Sequence, residues 1–210
     1  TTAAHFTFVE ECDASALVAM RARLAPEAER QGTRVTYLPF VIKAVADALR
    51  HHPMLNSAVD EQTNELVLKK YYNIGVATAT DAGLVVPVVH DADRRSLIEV
   101  AERLSSLSEA ARDGSLQASD FRDSTFTITS LGKHSGLLAT PILNSPEVGI
   151  LGIHRIKERP VVRDGEVVVG QVMLLSLSFD HRIVDGHVGA AFAYDVIEIL
   201  EDPERLSEYV

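Results

Sequence analysis

The sequence predicts one α/β domain, and three features predict it. Stretches that alternate with a period of two give way repeatedly to stretches of helical period. No Gly/Ser-rich or Pro-rich linker, internal repeat or like-charge block divides the chain. Its 210 residues, 46% hydrophobic and 24% charged, suffice for one large core. Thirty acidic against twenty basic residues, a net charge of -10, oppose non-specific binding to nucleic acid or to an anionic membrane. No apolar run approaches the ~18 residues of a membrane span. The single Cys12 permits no internal disulfide and no cysteine-based zinc site, and reads as a small buried hydrophobe.

His5 to Glu11 alternates as a strand. Asp13 and Ser15 stand where they can cap a helix through Leu17, Met20 and Leu24 toward Gly32, with Pro26 inside it. Leu38 to His52 puts Val41, Val45, Ala48 and Leu49 on one face, and Pro39 and Pro53 bound that helix. Asn73 to Thr80 and Leu84 to Val89 read as strands about the turn Asp81-Ala82-Gly83. Leu97, Ala101, Leu104, Leu107 and Ala111 make an amphipathic helix that Gly114 closes. Thr125 to Thr129, Val148 to His154 and Val172 to Phe179 have strand length and pattern, with a hairpin turn at Arg163 to Glu166. Gly186 to Leu200 is the last long helix, with Val188, Phe192, Val196 and Ile199 in phase.

The densest chemistry lies in Ser176 to Gly186, SLSFDHRIVDG, where a buried strand hands over to a helix. His181 is the group there whose ordinary pKa suits proton transfer near neutrality. Asp185, four residues on, can orient His181, pair with a basic residue or cap the helix that follows. The row Thr125, Thr127, Thr129 shares one strand face, usually a packing feature, but a hydroxyl at a strand end can also donate to an oxyanion. His51 and His52 fall at a helix C-terminus, where the dipole favours an imidazolium. His5, His90, His134, His154 and His187 share no ligand spacing and there is no H-E-x-x-H, so no metal is expected. Gly132 to Gly136 is not a G-x-S-x-G elbow and reads as a flexible glycine-rich loop; Gly149 and Gly152 do not make G-x-G-x-x-G.

Around these residues run HFTFVEECD, YLPFVIKAVADAL, HPMLN, YYNIGVATATDAGLVVPVV, FTITSLG, TPILNSPEVGILGIHRI and SLSFDHRIVDG. In this ordered series, spanning essentially the whole chain, the sequence resembles the catalytic domain of the dihydrolipoamide acyltransferases, the second components of the 2-oxo acid dehydrogenase complexes. The resemblance implies that residues 1–210 form one core-forming acyltransferase domain, with the family's lipoyl and peripheral-subunit-binding domains outside this chain. It implies a two-layer α/β sandwich resembling chloramphenicol acetyltransferase. It further implies trimers with active sites between subunits, assembling into a hollow cubic or icosahedral core.

Carried over residue by residue, the resemblance makes His181 the general base, Thr129 the oxyanion donor with Ser130 as the adjacent alternative, and Asp185 an orienting or structural residue. His181 would take the proton of the coenzyme A thiol, and the thiolate would attack the thioester carbonyl of an acyl-dihydrolipoyl group. Thiol and imidazole differ by about 2 pKa units, a transfer uphill by roughly 2.7 kcal/mol. Coenzyme A is thus a substrate, and the lipoyl group rides on a domain absent from the chain. Lys69, Lys70, Arg155, Lys157 and Arg159 are available for its phosphates, and none is assigned. The implied partners are a lipoyl domain, the 2-oxo acid decarboxylase and dihydrolipoamide dehydrogenase, in the bacterial cytoplasm or the mitochondrial matrix. The acyl group is acetyl or branched-chain. An O-acetyltransferase of the same fold and an inactive scaffold core are the alternatives. Leu206, Tyr209 and Val210 form an apolar end suited to docking on a neighbouring trimer.

Overall fold

The computed structural model describes residues 3–60, 62–132 and 136–209. In chain order the elements are β1 (His5–Asp13), α1 (Ser15–Arg30), α2 (Leu38–His51), β2 (Ser57–Asp60), β3 (Glu65–Leu68), β4 (Ile74–Thr80), β5 (Gly83–Val85), β6 (Val88–Val89), α3 (Leu97–Asp113), β7 (Phe126–Ser130), β8 (Gly149–Ile153), β9 (Lys157–Arg163), β10 (Glu166–Asp180) and α4 (Gly186–Glu201). The main sheet runs β1-β10-β8-β7-β4-β5, with β6 beside β4 and β9 beside β10; β2 and β3 form a separate hairpin. β7 lies parallel to both β4 and β8, and the remaining pairs are antiparallel.

Period-two alternation gives the sheet two unlike faces. One carries Phe6, Phe8, Phe126, Ile128, Leu151, Leu175, Leu177 and Phe179, and the helices pack on it. Phe192 of α4 meets Phe126 at 5.5 Å between ring centroids, and Tyr194 meets Phe8 at 5.9 Å. The other face carries Thr7, Thr127, Thr129, Gly152, Ser176, Ser178 and Asp180. Residues 139–144, which precede β8, strap across it: Ser176 Oγ donates to Ala139 O (2.7 Å), Leu143 N–H donates to His5 Nε2 (3.1 Å) and Asn144 Nδ2 donates to Thr127 Oγ1 (3.2 Å).

α2 is buried along most of its length, from Pro39 to Ala46 and at Ala48 and Leu49. Its one charged residue in that stretch, Lys43, is satisfied by backbone: Nζ donates to the carbonyls of Ala92 (2.9 Å), Asp93 (3.2 Å) and Arg95 (2.6 Å). Burial pushes its pKa down to about 8. The loop thus held leads into α3, which opens on the capping box Ser96/Glu99 and ends at Gly114, whose φ of 68° suits a residue without Cβ.

Several expectations are corrected by this geometry. Leu84 to Val89 is not one strand: Val86 and Pro87 interrupt it, and Pro87 has no N–H for a ladder. The first helix runs through Pro26 unbroken, and its N-cap position is Ala14 without a side-chain cap; Asp13 instead accepts from the N–H and Oγ of Ser15. The last strand begins at Glu166 rather than Val172. His52 does more than end its helix, since Nε2 lies 2.7 Å from Asp195 Oδ2 of α4. Cys12 is fully buried, as expected, and burial pushes its thiol up to about 12. Leu206 is buried in the chain's own core. The side chains of Tyr209 and Val210, and Lys133, His134 and Ser135 of the glycine-rich segment, lie outside the described residues.

Candidate active site

β10 ends at Asp180, and a tight turn delivers His181 before α4 begins. The turn is clamped from both sides. Asp180, 3% exposed, accepts from Arg182 Nε (3.0 and 3.1 Å), Arg182 Nη2 (2.5 Å), Arg182 N–H (3.1 Å) and Ala4 N–H (3.2 Å). Burial alone would raise its pKa, but these hydrogen bonds and the guanidinium charge outweigh it and hold the carboxyl below the usual range. His181 N–H donates to Ala4 O at 2.7 Å. Its ring is exposed, packs against Phe6 (5.1 Å) and Phe179 (6.1 Å) on the helix side, and makes no hydrogen bond among the described residues. A fixed backbone with a free imidazole suits a proton acceptor. Of the three readings of Asp185, the structure selects the cap: its Oδ1 accepts from Val188 N–H at 3.0 Å, and it is not hydrogen-bonded to His181.

Thr129 is next to last in β7, half-buried, with no hydrogen-bond partner for its hydroxyl among the described residues. Thr129 and Ser130 point to opposite faces. Ser130 lines a cavity of about 390 Å³ on the helix side, with Arg34, Thr78, Leu104, Ser105 and Ser108. Thr129 belongs to the polar face, opposite Gly152, which in turn lies opposite Ser176.

That register separates the two principal candidates. Thr129 is level with Ser176, five residues short of His181, which is about 16 Å along the strand direction, with two strand spacings of about 4.8 Å across. His181 also leans toward the helix layer and Thr129 away from it. One small reacting group cannot touch both side chains of a single chain.

Motif reading missed the buried polar residues around Thr129. His154 and Ser176 sit beside Gly152, and Glu147 accepts from Thr127 Oγ1 (2.6 Å) and Asn144 Nδ2 (3.2 Å). Burial pushes the Glu147 carboxyl up to about 7. The available signal was Gly152 itself, a glycine inside an apolar strand, which marks a close approach. Among the described residues no group of three or more His, Cys, Asp or Glu could hold a metal ion, and no helix is long and apolar enough to cross a membrane.

Residues 1–208 match the family model of the 2-oxoacid dehydrogenases acyltransferase (catalytic domain). The dihydrolipoyllysine-residue acetyltransferase component of the pyruvate dehydrogenase complex of Bacillus subtilis is 44% identical over 205 residues, which are 98% of this chain and 46% of that protein. The chain therefore spans about half the length of the curated relatives it matches. Dihydrolipoamide acetyltransferase of Azotobacter vinelandii superposes with a TM-score of 0.93 at 36% identity, covering 98% of this chain and 84% of that one. Crystallographic and enzymatic investigation of that enzyme addressed the role of a serine, a histidine and an asparagine in its catalytic mechanism; the serine stands fifty-two residues before the histidine and the asparagine four after it. The cubic core of the pyruvate dehydrogenase multienzyme complex superposes with the same score, identity and coverage. Chloramphenicol acetyltransferase, 14% identical with a TM-score of 0.58 over 93% of this chain and 88% of that one, shares the fold.

Proposed function

Since the chain belongs to the 2-oxoacid dehydrogenase acyltransferase family, we propose that it transfers an acetyl group between coenzyme A and a dihydrolipoyl thiol by direct thioester exchange. A branched-chain acyl group is the second reading, since the motifs this chain shares with the family are common to acetyl- and branched-chain-transferring members. The observation that carries the assignment is spacing: Thr129 stands fifty-two residues before His181 and Asp185 four after it, the intervals of the three residues studied in the Azotobacter enzyme. A threonine here replaces a serine and an aspartate an asparagine.

In this reading His181 takes the thiol proton as the sulfur attacks the thioester carbonyl. Charge gathers on the carbonyl oxygen, and the Thr129 hydroxyl, unpartnered among the described residues, donates to it; loss of one such donor typically costs about 2.7 to 4 kcal/mol. Asp185 holds the start of α4 and so fixes the turn bearing His181. The two sulfur substrates meet directly, and no acyl-enzyme is needed.

Because Thr129 and His181 of one chain are too far apart, each site pairs the hydroxyl of one copy with the imidazole of the next. We place the chain in a homotrimer that builds a larger core. We read a lipoyl domain, the decarboxylase and dihydrolipoamide dehydrogenase as its partners and, in keeping with its bacterial relatives, the cytoplasm as its compartment. Mixing tests this: Thr129→Ala and His181→Ala proteins, each strongly impaired in acetyl transfer from acetyl-CoA to dihydrolipoamide, are dissociated, combined and reassembled. Random pairing restores about one site in four. No recovery in correctly reassembled mixtures would refute the shared site.

A further inference from the structure

Beside Thr129, Gly152 leaves a gap on the polar face that no side chain of its own fills. A Cβ there would lie 2.5 Å from Ser176 Oγ and 3.6 Å from His154 Nε2, so these two groups already occupy the space next to Thr129's strand. His154 Nε2 lies 2.9 Å from Ser176 Oγ, and Ser176 Oγ lies 2.7 Å from Ala139 O. A hydroxyl has one proton, and the carbonyl can only accept, so Ser176 donates to Ala139 and His154 Nε2–H donates to Ser176. The Ala139 amide nitrogen, 3.4 Å from Nε2, is at the long limit of a hydrogen bond and yields to the two shorter contacts. His154 is 6% exposed, and its Nδ1 has no partner among the described residues. The ring is therefore held through one nitrogen alone, and the chain of donors ends on the strap that walls the face bearing Thr129.

Resting on the reading of Thr129 as oxyanion donor, we infer that His154 is a positioning residue for that donor: through Ser176 it fixes the strap at Ala139 and so the wall against which the thioester carbonyl meets the Thr129 hydroxyl. Apart from Gly152, sequence gives no hint of this, because His154, Ser176 and Ala139 come together only through the register of β8 with β10 and the path of the strap. Strap and hydroxyl meet the same carbonyl, so a loosened wall costs turnover by spoiling alignment rather than by removing a reacting group.

Acetyl transfer to dihydrolipoamide by the assembled protein is measured for His154→Ala, His154→Gln, Ser176→Ala, Thr129→Ala and the double variant Thr129→Ala with His154→Ala, after assembly and melting temperature are checked. His154→Ala is expected to lower kcat about tenfold with both KM values within about twofold, and Ser176→Ala to do the same. His154→Gln, which keeps an N–H for Ser176, restores kcat to within about threefold of wild type. Once Thr129 is alanine, adding His154→Ala costs less than about twofold, since the donor it positions is gone. A full multiplicative loss in the double variant, with Thr129→Ala alone impaired, overturns this inference and spares the Thr129 assignment. Thr129→Ala at the wild-type rate overturns both. Should His154→Ala fail to assemble, the same cycle is run with Ser176→Ala, which removes only an oxygen, and the same outcomes decide.

Discussion

Gly189 of α4 lies against the ring of Phe179 so closely that a methyl group at position 189 would sit 2.3 Å from its Cε1 and 2.6 Å from its Cζ. Phe179 is itself fully buried and touches both Phe6 and His181. Gly189→Ala must therefore push α4 or the ring aside, costing about 1 to 3 kcal/mol and disturbing the support of the imidazole. Denaturant unfolding together with acetyl-transfer rates checks this; an unchanged midpoint and turnover would show that the helix yields without consequence.

Lys43→Met should be among the most damaging single changes in the core. The methionine fills the space but leaves the carbonyls of Ala92, Asp93 and Arg95 without this donor, and one buried and two half-buried acceptors stripped of a charged partner cost about 3 kcal/mol together. Equilibrium unfolding at pH 7, where a lysine titrating at about 8 is still charged, gives the value. A loss under about 1 kcal/mol would mean that other groups satisfy the loop.

Glu147 ties stability to pH. Its carboxyl, pushed up to about 7 by burial, keeps in the folded chain a proton that the unfolded chain releases near its ordinary value of 4.5. The folded state therefore loses stability as pH rises from about 4.5 to about 7, and the loss is constant above that. Glu147→Gln removes this group's dependence, so it should be more stable than wild type by about 3 kcal/mol at pH 8 and equal to it near pH 4. Melting curves across that range decide; a wild-type advantage at pH 8 would mean the carboxylate is needed charged.

Local signals reached far into this fold. α3 is legible from end to end because Ser96, Glu99 and Gly114 act within a few residues of where they stand. α2 is legible because two prolines flank an apolar stretch. Exposed segments hide: β2 and β3 are four residues each, and the first half of β10 lies in a hairpin whose Val162, Val167 and Val169 are more than 70% exposed, so no core-facing alternation marks it. At the site, His181 and Asp185 are legible because one turn carries both. Which role Asp185 plays depended on where its oxygen points, and whether Thr129 or Ser130 faces the polar side depended on strand pairing. The surroundings of Thr129 were not legible, since Ala139, Gly152, His154 and Ser176 are joined by register between separate strands and by a loop crossing.

Backbone ladders, unlike rotamers, do not flex on the timescale of a turnover, so no motion of a solitary polypeptide closes the gap spanned by β8 and β10. Under the proposed shared site, a freshly made copy would be inert toward thioesters, and dilution below the association threshold should silence the protein without unfolding it. On that reading only assembled particles act on thioesters, and their supply, rather than that of polypeptide, sets the rate.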